Sequence, residues 1–238
     1  YKASTTDPGI ITHQNHRKML EMFEFDYVLY FPDNECRTCL FPKPARSKHC
    51  SLCDSCISLH DHHCAWINNC VGMNNHIYFI AYLIFLTISC IYVCFSCNCI
   101  IKSIWTQIDI GSWLIMSGKG EYRPLHFYEK YIVIILLKKF KPALLMIFLF
   151  TLLVSVVVCV FTIYHLQMIC RGITTNESFK WSDVDVHLKS GKSIQIPLKT
   201  MSSESSLRTV YTVKDIENIY DKGILGNLTS IFIKNRGR

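Results

Sequence analysis

Two stretches of the chain, Tyr78 to Ile101 and Ala143 to Ile169, contain no Asp, Glu, Lys or Arg. Each is long enough to cross a bilayer core of about 30 Å as a helix, so two transmembrane helices are predicted there. A pair of buried helices in a soluble protein is the rival reading. A third apolar run, Tyr131 to Leu137, is short and bounded by Lys130 and Lys138, which suits an interfacial or loop segment. Ahead of the spans, Asp7-Pro8-Gly9 signals a turn. His16 to Phe25 can form a short helix with Met19, Met22 and Phe23 on one face, and Tyr27 to Phe31 is a brief strand-like run ended by Pro32. The segment from Cys36 to His76 has too few large apolar residues to hold a fold together unaided.

Composition agrees with the membrane prediction: half of the residues are hydrophobic and the mean hydropathy is +0.22, unusual for a soluble protein. The net charge of +7 does not form a nucleic-acid stripe, because the basic residues are spread over the segment before the first span, the loop and the tail. Such a spread favours contact with a membrane surface, and no nucleic acid is expected as a partner. The chain opens at Tyr1 with neither an initiator methionine nor a signal peptide, as a fragment of a longer protein would.

The segment from Cys36 to His76 holds seven of the 13 cysteines and five of the ten histidines. A segment of about 40 residues rarely folds without staples or metal. Two tetrahedral zinc ions need eight ligands. Cys36, Cys39, Cys50, Cys53, Cys56 and Cys70, with two histidines from the run Asp61-His62-His63-Cys64, supply them and leave Cys64 over. A spare cysteine beside a histidine and a carboxylate is a candidate nucleophile. In an extended stretch successive side chains point to opposite sides, so one histidine of the run can serve zinc while the other reaches Cys64. Redox or disulfide chemistry of the Cys-x-x-Cys pairs is the competing reading. Cys90, Cys94, Cys97, Cys99 and Cys159 lie within the spans as packing residues. Cys170, at a membrane edge, is a candidate for acylation. Thiolates persist in a reducing compartment, so the cluster is expected to face the cytosol. Two spans bring the tail from Cys170 back to the same side. The sequons at Asn176 and Asn227 are then expected to be unglycosylated.

The segment Cys36 to Phe79 resembles the core of the DHHC family of protein S-acyltransferases. Lys43-Pro44-Ala45-Arg46, His49-Cys50, Asp61-His62-His63-Cys64, Trp66, Asn69-Cys70, Gly72, Asn75 and Phe79 stand at that family's spacings. Asp7-Pro8-Gly9, Thr174-Thr175-Asn176-Glu177 and the stretch Asn218 to Phe232, with Tyr220, Gly223 and Asn227, are similar to its flanking motifs. The wording of these motifs is most like the fungal endoplasmic-reticulum type that acylates SNARE proteins. The chain departs from the family at Ala65, where many members have proline, and in lacking two N-terminal spans.

The resemblance implies a polytopic α-helical membrane protein with a cytosolic zinc-binding cysteine-rich domain, two spans in this chain and four in the full protein. It implies one zinc on Cys36, Cys39, His49 and Cys56, and another on Cys50, Cys53, His63 and Cys70. Cys64 is then the nucleophile, His62 its base, and Asp61 the group that orients His62. Thr175 is implied as a hydrogen-bond partner of Asp61, Trp66 as a supporting residue, and Asn227 as an anchor of the tail. The implied activity is that of a protein-cysteine S-palmitoyltransferase: palmitoyl-CoA or another long-chain acyl-CoA acylates Cys64, which passes the acyl group to a cysteine of a transmembrane or lipid-anchored protein. Each buried methylene contributes about 0.8 kcal/mol, so the acyl chain supplies much of its own binding. The domains follow as residues 1–35, a juxtamembrane segment; 36–77, the zinc module; 78–101 and 143–169, the spans; 102–142, a lumenal loop; and 170–238, a cytosolic tail. Location in the endoplasmic reticulum is expected, with the Golgi second. A catalytically inactive family member and a membrane-anchored zinc-finger adapter are the alternatives. His60, His76, His126 and His165 are expected to be packing or surface residues.

Overall fold

The computed structural model describes residues 1–108, 114–116, 122–124, 139, 141–197 and 207–232. The predicted Tyr131–Leu137 segment, His126 and most of the loop between the spans lie outside them. The described residues form two units, one of Tyr1–Tyr82 with Ile163–Arg238, the other of Leu83–Thr162.

In the first unit, the segment poor in apolar side chains folds as short hairpins in place of a packed sheet. β1 (Ile10–Ile11), β5 (Ser55–Ile57) and β4 (Lys48–Cys50) form a three-stranded sheet, with Ile10 opposite Ile57 and His49 opposite Cys56. β2 (Glu35–Cys36) pairs with β3 (Phe41–Pro42), and β6 (His62–Cys64) pairs with β7 (Asn69–Val71). Two of the turns repeat one device. Leu40, just after Cys36-x-x-Cys39, and Asp54, just after Cys50-x-x-Cys53, take left-handed backbone at φ 57° and 48°, which folds each pair of thiols to one side. Asp7 makes the turn expected at Asp7-Pro8-Gly9 by accepting the amides of Gly9 and Ile10, both at 2.8 Å. Gly72 packs so closely on this turn that a β-carbon there would lie 2.5 Å from the Pro8 carbonyl oxygen.

Two local predictions need correction. Tyr27–Phe31 is not a strand and bends at Tyr27–Leu29, because the Asp26 carboxylate accepts the amides of Val28, Leu29 and Tyr30 at 3.1, 2.9 and 2.8 Å. The early helix covers only His16–Leu20; Phe23 and Phe25 turn instead to pack on a cluster of Leu29, Tyr30, Ala45 and Tyr220.

The tail begins with a helix, Thr175–Lys189, opened by a capping box. Thr174 Oγ1 accepts the Glu177 amide at 3.2 Å, and the Glu177 carboxylate accepts the Thr174 amide at 2.9 Å. A strand pair follows, β10 (Ile194–Pro197) with β11 (Leu207–Val210), and then a helix at Gly223–Phe232. A hairpin of β8 (Leu114–Met116) and β9 (Tyr122–Pro124) belongs to the second unit.

The two apolar runs are helices, His76–Ile108 and Pro142–Cys170. Both are long and apolar enough to cross a membrane. They leave large apolar side chains exposed, among them Phe85, Tyr92, Phe95, Phe150 and Leu153, which weighs against the soluble-core rival. Within the second unit they meet through small polar contacts: Thr87 Oγ1 lies 3.0 Å from Thr162 Oγ1, and Cys94 donates to Thr151 Oγ1 at 3.4 Å.

Candidate active site and metal centres

Residues directly opposite in an antiparallel pair put their side chains on one face, and the hairpin registers use this to assemble two ligand sets. His49 faces Cys56, and the two join Cys36 and Cys39; His63 faces Cys70, and the two join Cys50 and Cys53. Within each set the ligand atoms lie no more than 4.8 Å apart. His63 Nδ1 is 3.6, 3.4 and 3.6 Å from the sulfurs of Cys50, Cys53 and Cys70. His49 Nδ1 is 3.4 Å from Cys39 Sγ and 3.9 Å from Cys56 Sγ. A tetrahedral ion with bonds of about 2.0–2.3 Å sets its ligands about 3.5 Å apart, so each Cys₃His set fits zinc. Zinc there would supply cross-linking in a module with little core. The spacing argument that both histidines of the run serve metal is corrected, since His49 takes the place of His62.

His62 and Cys64 occupy alternate positions of β6 and so share the face that His63 leaves. Asp61 precedes the strand and is almost fully buried. Its Oδ2 accepts His62 Nδ1 at 2.6 Å and Thr175 Oγ1 at 2.9 Å; its Oδ1 accepts the Thr175 amide at 2.7 Å. Burial favours the neutral acid, but the His62 hydrogen bond, nearby imidazoles and the Thr175 amide outweigh it and hold the carboxyl well below the usual carboxylate range. With Nδ1 engaged, Nε2 is the ring nitrogen left to act on a thiol. Cys64 is buried, and among the described residues no side chain hydrogen-bonds its sulfur. Trp66, by contrast, stands exposed.

Thr175 is placed by a second buried cluster. Glu177, two residues on, accepts Arg46 Nε at 2.7 Å and Nη2 at 2.6 Å, together with the Tyr30 hydroxyl at 3.1 Å. Burial acts against the Arg46 charge, and Glu177 more than offsets it, leaving the guanidinium above its ordinary pKa. Burial and Glu177 push Tyr30 up, so it remains a donor. Arg46 also lies over the Tyr220 ring, 4.5 Å from its centre. Asn227 ties the tail down by donating to the Cys170 carbonyl at 3.0 Å and to Asp221 at 2.6 Å.

A cavity of about 680 Å³ opens on this cluster, lined by Asn34, Lys43, Lys48, Lys180, Asp61 and His62. Lys180 Nζ sits 3.8 Å over the Tyr30 ring, and burial lowers its pKa to about 8.

Reading the sequence missed one member of the site. His165, expected to be a packing residue, lies fully buried with Nδ1 3.9 Å from Asp61 Oδ2. The signal available was a titratable residue in a charge-free membrane segment. His60 and His76 are also buried.

A family model described as DHHC palmitoyltransferase matches residues 30–182. Among curated relatives, the chain is 32% identical over 268 residues to palmitoyltransferase SWF1 of Yarrowia lipolytica, covering 98% of this chain and 66% of that protein. It is 34% identical over 245 residues to palmitoyltransferase swf1 of Schizosaccharomyces pombe, covering 99% and 63%. Over 229 residues it is 29% identical to mouse palmitoyltransferase ZDHHC4, covering 95% and 62%. The chain therefore spans slightly less than two thirds of the length of these relatives. The matched region runs from Tyr30, which bonds Glu177, through both ligand sets, the Asp61 cluster and the two apolar helices, and on that match the chain belongs to the DHHC palmitoyltransferase family.

Proposed function

We propose that this chain carries the catalytic core of an integral-membrane protein S-palmitoyltransferase. One observation carries the reading: Asp61 fixes His62 through Nδ1 at 2.6 Å, on the strand face that Cys64 shares. Asp61 then holds the imidazole tautomer and stabilises its protonated form, as the carboxylate of a catalytic triad does.

In the first step His62 takes the Cys64 proton and the thiolate attacks the thioester carbonyl of a long-chain acyl-CoA. The carbon–sulfur bond to CoA breaks, an acyl–Cys64 thioester remains, and the proton passes from His62 to the departing CoA thiolate. In the second step His62 takes the proton of a substrate cysteine, whose sulfur attacks acyl–Cys64 and releases the Cys64 thiol. Each step exchanges one thioester for another, so no redox partner or ATP is consumed. Zinc bound by the two Cys₃His sets would fix the strand that carries His62 and Cys64.

Lys43, Lys48 and Lys180 supply cations for the phosphates of CoA in the cavity beside His62. Cys64 lies shortly before the helix that starts at His76. Substrate cysteines at the ends of transmembrane helices, SNARE proteins among them, suit that position. A cytosolic zinc module and tail, joined by the two spans and a lumenal loop, and residence in the endoplasmic reticulum complete the reading. Burial of Asn176 and Asn227 supports the expectation that neither sequon carries a glycan.

The test is to give the full-length protein a clickable long-chain acyl-CoA and follow hydroxylamine-sensitive label. Cys64→Ser is expected to abolish the label and keep both zinc ions. Wild-type protein that binds zinc but never labels would instead be the inactive member or the adapter.

A further inference from the structure

The Asp61–His62 pair is bracketed by a residue from the second long helix. His165 sits with Nδ1 3.9 Å from Asp61 Oδ2, the same oxygen that His62 Nδ1 and Thr175 Oγ1 contact at 2.6 and 2.9 Å. Its ring centre is 5.5 Å from that of His62 and 5.2 Å from that of the fully buried Phe79. Phe79 in turn meets the His62 ring at 5.1 Å in an edge-on arrangement. The imidazole of His62 is thus walled by two rings and pinned at one nitrogen.

We infer that His165 is a positioning residue for the acyl-transfer chemistry, holding the Asp61 carboxylate and the His62 ring in the geometry that leaves His62 Nε2 to act on Cys64. The inference rests on the proposed acyl transfer. A base that must accept and return a proton twice per cycle loses rate when its ring can rotate away from its carboxylate. Two contacts restrict that rotation here. The edge-on contact with Phe79 limits ring tilt, and His165 sets its ring 5.5 Å from that of His62 and a polar nitrogen 3.9 Å from Asp61 Oδ2. A wholly apolar side chain in its place would fill the wall but remove one of the three polar groups around that carboxylate oxygen.

A third metal ion on Asp61, His62 and His165 is the competing reading of the same three side chains, whose ligand atoms lie within 4.8 Å of one another. The 2.6 Å separation of Asp61 Oδ2 and His62 Nδ1 argues against it. Two ligands about 2.0–2.1 Å from one tetrahedral zinc stand about 3.3 Å apart, and 2.6 Å is the length of a charge-assisted hydrogen bond.

The experiment compares His165→Phe, His165→Gln and His165→Asn in the full-length protein, measuring the rate of Cys64 acylation, the KM for acyl-CoA and the zinc content. The asparagine side-chain nitrogen takes the place of histidine Nδ1, whereas that of glutamine takes the place of Nε2. His165→Phe and His165→Gln are expected to slow acylation about tenfold with KM and zinc unchanged, and His165→Asn to restore most of the rate. Equal rates in wild type and His165→Phe would overturn the inference and leave the acyl-transfer reading standing. Loss of zinc or a raised KM shared by all three variants would make His165 a packing residue and overturn it too. Three zinc ions per wild-type chain, falling to two in His165→Phe, would replace it with the metal site. Wild-type protein that never labels at Cys64 would overturn both the inference and the reading beneath it.

Discussion

The Arg46 guanidinium grips the Glu177 carboxylate with two hydrogen bonds, from Nε at 2.7 Å and from Nη2 at 2.6 Å, and both side chains are buried. The pair joins the cysteine-rich segment to the first turn of the tail helix, where Thr175 reaches Asp61. Such a pair contributes position more than net stability, because removing two charges from water offsets much of their attraction.

Breaking that pair from one side is expected to be costly. Glu177→Ala leaves the Arg46 charge buried and without its carboxylate, with an expected loss of about 3–5 kcal/mol. Arg46→Met with Glu177→Leu removes both charges and is expected to recover a large part of it. Unfolding of the detergent-solubilised protein, followed by tryptophan fluorescence, checks both. A single variant as stable as wild type would show that the pair carries no structural weight.

Thr175 contacts Asp61 twice, through its amide at 2.7 Å and its hydroxyl at 2.9 Å. Thr175→Val removes only the second contact. A hydrogen bond to a charged group is worth about 1.5–3 kcal/mol, so Cys64 acylation is expected to slow about tenfold or more with zinc retained. Thr175→Ser keeps the hydroxyl and is expected to stay near the wild-type rate. Equal rates for the serine and valine variants would exclude a role for the hydroxyl.

The two ligand sets predict separable zinc losses. His49→Ala and His63→Ala are each expected to lower the zinc content from two ions per chain to about one, whereas His62→Ala should keep two and lose acylation. Metal analysis of the purified variants reads this directly. Zinc lost from His62→Ala would place that histidine on metal.

These contrasts mark what the sequence could and could not carry. Asp61, His62, His63 and Cys64 are contiguous, so a cysteine beside a base and a carboxylate could be read from the order of residues. The two apolar runs were legible for the same local reason, and both are helices. The division of the cysteines and histidines into two Cys₃His sets was not legible from spacing, because it depends on the hairpin registers His49 with Cys56 and His63 with Cys70. The Arg46–Glu177 pair spans 131 positions and arises only when the tail helix packs back. The run Tyr27–Phe31 failed as a strand because Asp26, just before it, captures three of its amides. His165 was hidden by its setting, since a histidine in an apolar run reads as a packing residue until its neighbours are known.

The lysines of the cavity predict a pH dependence in acyl-CoA binding. Burial lowers Lys180 to about 8. As pH rises through that value the free protein loses the Lys180 charge, and with it attraction for a CoA phosphate. The KM for acyl-CoA is therefore expected to rise above about pH 8 in wild type. Lys180→Arg keeps its charge throughout and is expected to flatten the rise, while Lys180→Met is expected to show the raised KM already at pH 7. Measuring KM across this range with dephospho-CoA thioesters as well identifies which phosphate is involved. A wild-type KM that does not change between about pH 7 and 9, with Lys180→Met equal to it, would remove Lys180 from the binding site and leave Lys43 and Lys48 to carry the phosphates.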